Sequence, residues 1–323
     1  MKIELPQIIP QIHADLHTRW QKDLREVITE PEILLKMLNI AADDYKQHFK
    51  ARQLFPVRVP VSFIKRMKNG DINDPLLRQV MPLNEEFVVT EGFSQDPLHE
   101  HSSSVEGLLH KYKSRVLMIV KPGCAINCRY CFRRHFPYQE NSPNKQRWQQ
   151  ALHYIAKHKA ISEVIFSGGD PLMASDEHLT WLVEQIEQIP HVQRLRIHSR
   201  LPVVIPSRVT PKLVQLLTNT RLKVTIVLHI NHANEVASDF VAALEPLHQA
   251  RIPIFNQSVL LKGVNDDANT LIALSEVIYD AGIIPYYLHL FDQVQGAAHF
   301  DVSEEKAVSI AKEMLATLPG FLM

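Results

Sequence analysis

The chain has 323 residues, 46% of them hydrophobic, and 35 basic side chains balance 35 acidic ones to a formal net charge of zero. That length supports a large buried core, as one big domain or a large domain with a smaller companion. The charge balance leaves no basic stripe for nucleic acid, and the longest apolar runs, such as Val224-Thr-Ile-Val-Leu228, are strand-sized, so no membrane span is expected.

Residues 1–107 read as a helical N-terminal extension. Nothing at its start resembles a signal peptide. Thr29-Glu-Pro-Glu32 has the form of a capping box with proline in the first turn, ahead of the apolar stretch Ile33–Ile40. Pro56, Pro60, Pro75, Pro82 and Pro97 break the rest into short pieces, and the region carries no chemical signal. From about residue 115 the pattern changes. Short β-branched runs at Arg115–Val120, Glu163–Phe166, Arg194–His198, Lys223–Ile230, Pro253–Leu261 and Ile284–Leu290 alternate with helix candidates near 144–158, 176–188, 211–219, 235–249, 268–281 and 303–317. Ser175 and Ser303 each precede two acids, which places carboxylates at the positive ends of helices. Six β-α units in series imply a parallel sheet with right-handed crossovers. Six units rather than eight imply an α/β partial barrel, open on one side, over residues 108–301, followed by a C-terminal helix and tail at 302–323.

The unusual polar residues fall just after the strands. A cysteine-bearing loop follows the first, Ser167-Gly-Gly-Asp-Pro171 the second and Ser199-Arg200 the third. His229, Asn231 and His232 end the fourth, Asn256-Gln-Ser258 lies late in the fifth, and Asp292-Gln-Val-Gln-Gly296 follows the sixth. In barrels and open parallel sheets this C-terminal edge is where sites are built.

All three cysteines, Cys124, Cys128 and Cys131, stand in one C-x-x-x-C-x-x-C loop. A disulfide framework is unneeded in a chain of this length with no secretory leader. A zinc site completed by His135 would use one C-x-x-C pair, where zinc sites usually use two. Three thiolates on a [4Fe–4S] cube leave one iron free to bind a substrate or cofactor. The spacing, with Tyr130 before the last cysteine, resembles that of the radical S-adenosylmethionine (SAM) enzymes. Gly168 and Gly169 after a strand let the backbone approach a ligand closely.

With G-G-D-P-L (168–172), R-I-H-S-R-L-P-V-V-I-P-S-R (196–208), N-Q-S-V-L-L-K-G-V-N-D (256–266) and P-Y-Y-L-H-L-F-D-Q-V-Q-G-A-A-H-F (285–300) in view, the chain resembles the lysine 2,3-aminomutase family from about residue 20 onward. It is most similar to the short bacterial branch that makes (R)-β-lysine to modify elongation factor P. The resemblance implies a radical SAM partial (β/α)6 barrel and three cofactors: a [4Fe–4S] cluster on Cys124, Cys128 and Cys131, SAM, and pyridoxal 5′-phosphate (PLP). In the implied reaction an electron from the cluster splits SAM, the resulting 5′-deoxyadenosyl radical takes a hydrogen from C3 of lysine, and the nitrogen moves from C2 to C3.

Carried over by position, Gly168, Gly169, Asp170, Ser199, Arg200, His229 and Gln257 are the implied SAM residues, with Asp170 helping to hold the amino group. Lys111, Tyr112 and Arg115 are the implied PLP residues, a ring beside the pyridine and cations on the phosphate. Arg133 is the implied clamp on the lysine carboxylate, a task its planar guanidinium suits. Asp292 is the implied partner of the ε-ammonium, which would select lysine over uncharged amino acids. No side chain is assigned as catalytic, because the radical arises on SAM. The family's PLP-anchoring lysine follows the last helix, whereas no lysine lies beyond Lys312 here. A truncated sequence is the favoured explanation, beside a degenerate copy or non-covalent PLP binding. The implied partners are L-lysine, a reductant such as flavodoxin or ferredoxin, and, functionally, elongation factor P and its β-lysine ligase. A homo-oligomer is allowed. Free thiols and an oxygen-sensitive cluster fit the cytoplasm. Two alternatives stand beside this reading: a radical SAM enzyme acting on another substrate without PLP, and a non-catalytic metal- or cluster-binding protein.

Overall fold

The structure, a computed structural model, describes residues 19–101, 105–138 and 144–323. The stretch read as lacking a signal peptide lies outside the described residues. Seven strands form one sheet in sequential order: β1 (Leu108–Tyr112), β2 (Arg115–Lys121), β3 (Glu163–Gly168), β4 (Arg194–Ser199), β5 (Lys223–His229), β6 (Ile254–Val259) and β7 (Ile284–His289). From β2 to β7 all pairs are parallel, and β1 is antiparallel to β2. The crossovers carry α1 (Lys145–Lys157), α2 (Asp176–Glu187), α3 (Pro211–Thr218), α4 (Ser238–Gln249) and α5 (Ala268–Asp280), and α6 (Glu304–Thr317) follows β7. No helix among the described residues is long and apolar enough to cross a membrane.

A period of two sorts the strand residues between two faces. Val116, Met118 and Val120, Val164 and Phe166, Leu195 and Ile197, and Val224, Ile226 and Leu228 pack outward, in one core with Leu152, Leu182, Leu213, Leu244 and Leu271 of the surrounding helices. The alternate residues, including Ser167, Arg196, His198, His229 and Gln257, therefore face inward. The sheet curls: Arg196 on β4 reaches over β5 and β6 to the Tyr286 hydroxyl on β7 at 3.3 Å. This is the expected partial barrel, with β1 and β7 at its edges.

Two expectations need correction. The sheet has seven strands where six were read, because β1 is a short hairpin arm whose L-L-H-K-Y sequence alternates weakly. The capping box at Thr29 does not form: the helix Pro31–Met37 starts from Glu30, which makes no side-chain cap, and Pro31 supplies the pre-set φ of the first turn. Ser175 and Ser303 do cap, accepting from the amides of His178 and Lys306. The described part of the stretch ahead of β1 holds short helices and irregular segments, and its Leu34, Leu35, Leu76 and Leu77 join the main core.

Candidate active site at the barrel mouth

The cysteine loop leaves the C-terminal end of β2 and is closed against the turn after β3. The Gly169 amide donates to Lys121 O (2.7 Å) and the Asp170 amide to Gly123 O (3.0 Å). Gly168 has φ +127°, and a Cβ there would sit 2.4 Å from Lys121 O; a Cβ on Gly169 would sit 2.6 Å from Pro122 O. The two glycines are thus required by the approach of one loop's backbone to the other, rather than by a ligand alone.

The N-terminal extension holds the same loop from the other side. The Arg129 amide donates to Gln79 O (2.9 Å), the Asn127 amide to Arg58 O (3.0 Å), and Arg58 Nε to Cys124 O (2.9 Å). Glu86, wholly buried, takes Arg129 Nε at 2.6 Å and Arg134 Nη2 at 2.5 Å. Arg134 is therefore a buried, paired cation. His135 Nε2 lies 3.1 Å from Gln295 O.

The three thiols are half-buried and free of disulfides. Burial pushes Cys131 up to about 11, and burial followed by the charges of Asp170, Cys131 and Cys128 pushes Cys124 up. Three such thiols gathered in one loop form a donor set whose ionised form calls for a polycationic guest. Among the described residues no three His, Cys, Asp or Glu side chains converge on one metal position. An iron–sulfur cube does not ask for that, because each thiolate binds a different iron. The donor set fits a cluster. Arg200 adds a fixed charge, with Nη1 2.8 Å from Cys128 Sγ.

The residues implied for SAM lie at the ends of β3 to β6, side by side. Asp170 is buried, and its four acceptor positions are all filled: Ser199 Oγ (2.7 Å) and the Leu172 amide (3.0 Å) on Oδ1, and the amides of Arg200 (2.8 Å) and Leu201 (2.9 Å) on Oδ2. Burial raises its pKa while these donors pull it back. Asp170 thus locks the turn after β3 to the turn after β4, and no lone pair is left for an ammonium group. Ser199 is spent on the same bracket. Arg200 is buried in a polar network with Gln79 Oε1 (2.7 Å), Glu235 Oε2 (2.8 Å) and the Tyr130 hydroxyl (2.5 Å). His229 stacks on Tyr130 and meets its hydroxyl through Nε2 at 2.9 Å, and burial holds this imidazole neutral. Gln257 pairs in register with His229 and faces inward, whereas its neighbours Asn256 and Ser258 brace Ile230 and are structural.

Arg133 is buried beneath this layer. It is not an open fork: Nε and Nη2 engage the Glu100 carboxylate (2.7 and 3.3 Å), and Nη1 donates to Ser167 Oγ (3.0 Å) and reaches Gly168 O (3.4 Å). Lys111 Nζ donates to the same Glu100 carboxylate at 3.0 Å. Burial raises the pKa of Asp292, whose carboxyl lies within electrostatic reach of His289, Glu100, Lys111 and Arg133. Tyr112 and Arg115 sit in the β1–β2 turn, at the end of β2 remote from the cysteines, with the Arg115 guanidinium 3.8 Å over the Tyr112 ring. A ring and a cation are the types a pyridoxal phosphate pocket uses.

The sequence reading missed Gln79, Glu86, Glu100 and His198. The first three lie in an extension without strand or helix periodicity to flag them. His198 faces inward from β4, and its Nε2 is buried with no hydrogen-bond partner among the described residues. Burial and the charges of Arg196, Arg133 and His289 lower its pKa to about 3, so it is a neutral imidazole.

Residues 118–274 match the family model described as Radical SAM superfamily. The chain is 54% identical over 305 residues to the L-lysine 2,3-aminomutase of Escherichia coli (strain K12), covering 94% of this chain and 89% of the relative. It is 53% identical to the protein of that name from Haemophilus influenzae (strain ATCC 51907 / DSM 11121 / KW20 / Rd), covering 94% and 90%. To the one from Buchnera aphidicola subsp. Baizongia pistaciae (strain Bp) it is 46% identical, covering 94% and 90%.

Proposed function

This chain belongs to the lysine 2,3-aminomutase family of the radical SAM superfamily, and on that premise we propose that it converts L-lysine to (R)-β-lysine in the cytoplasm, for modification of elongation factor P. The observation that carries the reading is the single layer formed by the cysteine loop and the Gly168–Asp170 turn, over an interior that holds Arg133 and Asp292. When bound, the [4Fe–4S] cluster supplies the electron that splits SAM, and PLP an electron sink for the migrating nitrogen.

The protein's own residues bind and orient. Cys124, Cys128 and Cys131 hold the cluster, and Arg200 fixes Cys128 by its hydrogen bond. Gly168, Gly169, Asp170 and Ser199 set the floor on which SAM lies, with His229 and Gln257 beside it. Arg133 presents positive charge to the substrate carboxylate and Asp292 negative charge to the ε-ammonium, a pairing that distinguishes lysine from amino acids with neutral side chains. Tyr112, Arg115 and Lys111 serve PLP.

The test is an anaerobic turnover with reconstituted cluster, SAM, reductant, PLP and L-lysine. The expected product is β-lysine, made only when all are present. Formation of 5′-deoxyadenosine without dependence on lysine or PLP, and without β-lysine, would instead favour a radical SAM enzyme with another substrate.

A further inference from the structure

Glu100 comes from the N-terminal extension, outside the barrel, yet it touches two residues implicated in binding different ligands. Its carboxylate takes Arg133 Nε and Nη2 at 2.7 and 3.3 Å, and Lys111 Nζ at 3.0 Å. It is itself held in place, because Asp96 accepts from its amide at 2.7 Å and from the His101 amide at 2.9 Å. The side chains of Arg133 and Glu100 are both 7% exposed, and that of Lys111 is 38% exposed.

We propose that Glu100 is a positioning residue that ties the substrate-carboxylate subsite at Arg133 to the cofactor-phosphate subsite at Lys111, so that neither cation is set independently. The inference rests on the function proposed above for its two ligands, an amino-acid carboxylate and a phosphate ester. Donor counting supports it. Arg133 has five N–H groups, of which Glu100 fixes two and Ser167 and Gly168 O orient two more, leaving one on Nη2. Lys111 has three, and Glu100 and Leu98 O (2.8 Å) take two. Among the described residues each cation thus keeps one oriented N–H for an incoming oxyanion. Burial pushes the Glu100 carboxyl up, but Arg133 and Lys111 hold it below its ordinary value, so the bridge is an anion between two cations.

The consequence has a definite sign. In E100Q one oxygen becomes an NH2 group: with the amide oxygen in the Oε2 place it keeps Arg133 Nε and turns its NH2 on Arg133 Nη2 and Lys111 Nζ, and in the Oε1 place it keeps those two and turns its NH2 on Arg133 Nε. In either placement Arg133 keeps only part of its hold on residue 100, and Lys111, the exposed cation, no longer faces a carboxylate and turns to solvent. The net positive charge of the pocket is then about what it was, while one oriented donor is lost and Arg133 is held by Nη1 and a single contact to the amide oxygen.

The experiment measures equilibrium binding of labelled L-lysine by dialysis and of PLP by absorbance, on anaerobically reconstituted full-length protein with SAM. E100Q should weaken both, each roughly tenfold, the size of one charge-assisted hydrogen bond. K111M should weaken PLP more than L-lysine, and E100Q/K111M should bind PLP no worse than K111M. Iron content per chain should stay as in the wild type, which shows that the fold and the cysteine loop are intact. E100D, which keeps the charge on a shorter arm, should recover part of both affinities and decides the matter if E100Q folds poorly. Unchanged or tighter binding of either ligand in E100Q, additive losses in the double variant, or a wild type that binds neither ligand would overturn the proposal. A wild type that binds both but makes no β-lysine would leave the bridge standing and remove the proposed activity.

Discussion

Gly169 and Arg133 illustrate how much a single residue discloses. The glycine pair was legible as a place of close approach, but what approaches is the backbone of Pro122 and Gly123, which only the closed loop makes visible. The resemblance singled out Arg133, two positions beyond the last cysteine, and the structure finds it buried. Its partner Glu100 was not legible, because 33 positions separate them in sequence and no local pattern links them. His299 makes a prediction at this scale. It lies 2.8 Å from Arg129 Nη2, and burial, then the charges of Arg129, Arg134 and Arg78, lower its pKa from 6.5 to about 3. The folded protein keeps this imidazole neutral while the unfolded chain protonates it. Stability from this group is therefore complete above the unfolded pKa and declines as pH falls from 6.5 toward 3. At pH 5.5 the loss is about 1.4 kcal/mol. H299Q, which retains an acceptor for Arg129, should shrink the stability difference between pH 7.5 and 5.5 by about that amount in denaturant titrations. An unchanged difference would show that His299 is not neutral in the folded state.

At the scale of elements, the six βα units and their helices were readable because short β-branched runs alternate along the chain with longer amphipathic stretches. The extension was not readable as part of the site. Its pieces are short 3-10 and α turns, and a buried Glu86 or Gln79 looks like any surface acid or amide until its partner is placed. The structure makes the extension a clamp on the cysteine loop. Among the described residues Glu86 is the carboxylate that pairs with both buried guanidiniums, Arg129 and Arg134. Removing its charge leaves two buried cations uncompensated, which outweighs the desolvation relieved. E86Q should lower stability by about 3 kcal/mol or more and reduce the iron retained per chain after reconstitution. Full stability with full iron content would mean that the loop does not depend on the extension.

The whole molecule divides labour along the barrel. The cysteines, the Asp170 bracket and the Arg200 network form one layer at the C-terminal ends of the strands. Arg133, Glu100, Lys111 and Asp292 share one electrostatic neighbourhood beneath it, and Tyr112 with Arg115 lies at the far end of β2. The order of this stack follows from strand register, which the sequence only implied. A substrate bound between the two ends, its carboxylate at Arg133 and its ammonium at Asp292, would have its middle carbons exposed to the layer above. The most direct measurement of that claim is anaerobic turnover of L-lysine deuterated at C3, followed by mass analysis of the products. Deuterium in both 5′-deoxyadenosine and β-lysine is the predicted result. β-Lysine formed without deuterium entering 5′-deoxyadenosine, or deoxyadenosine formed unlabelled and without β-lysine, would contradict the account.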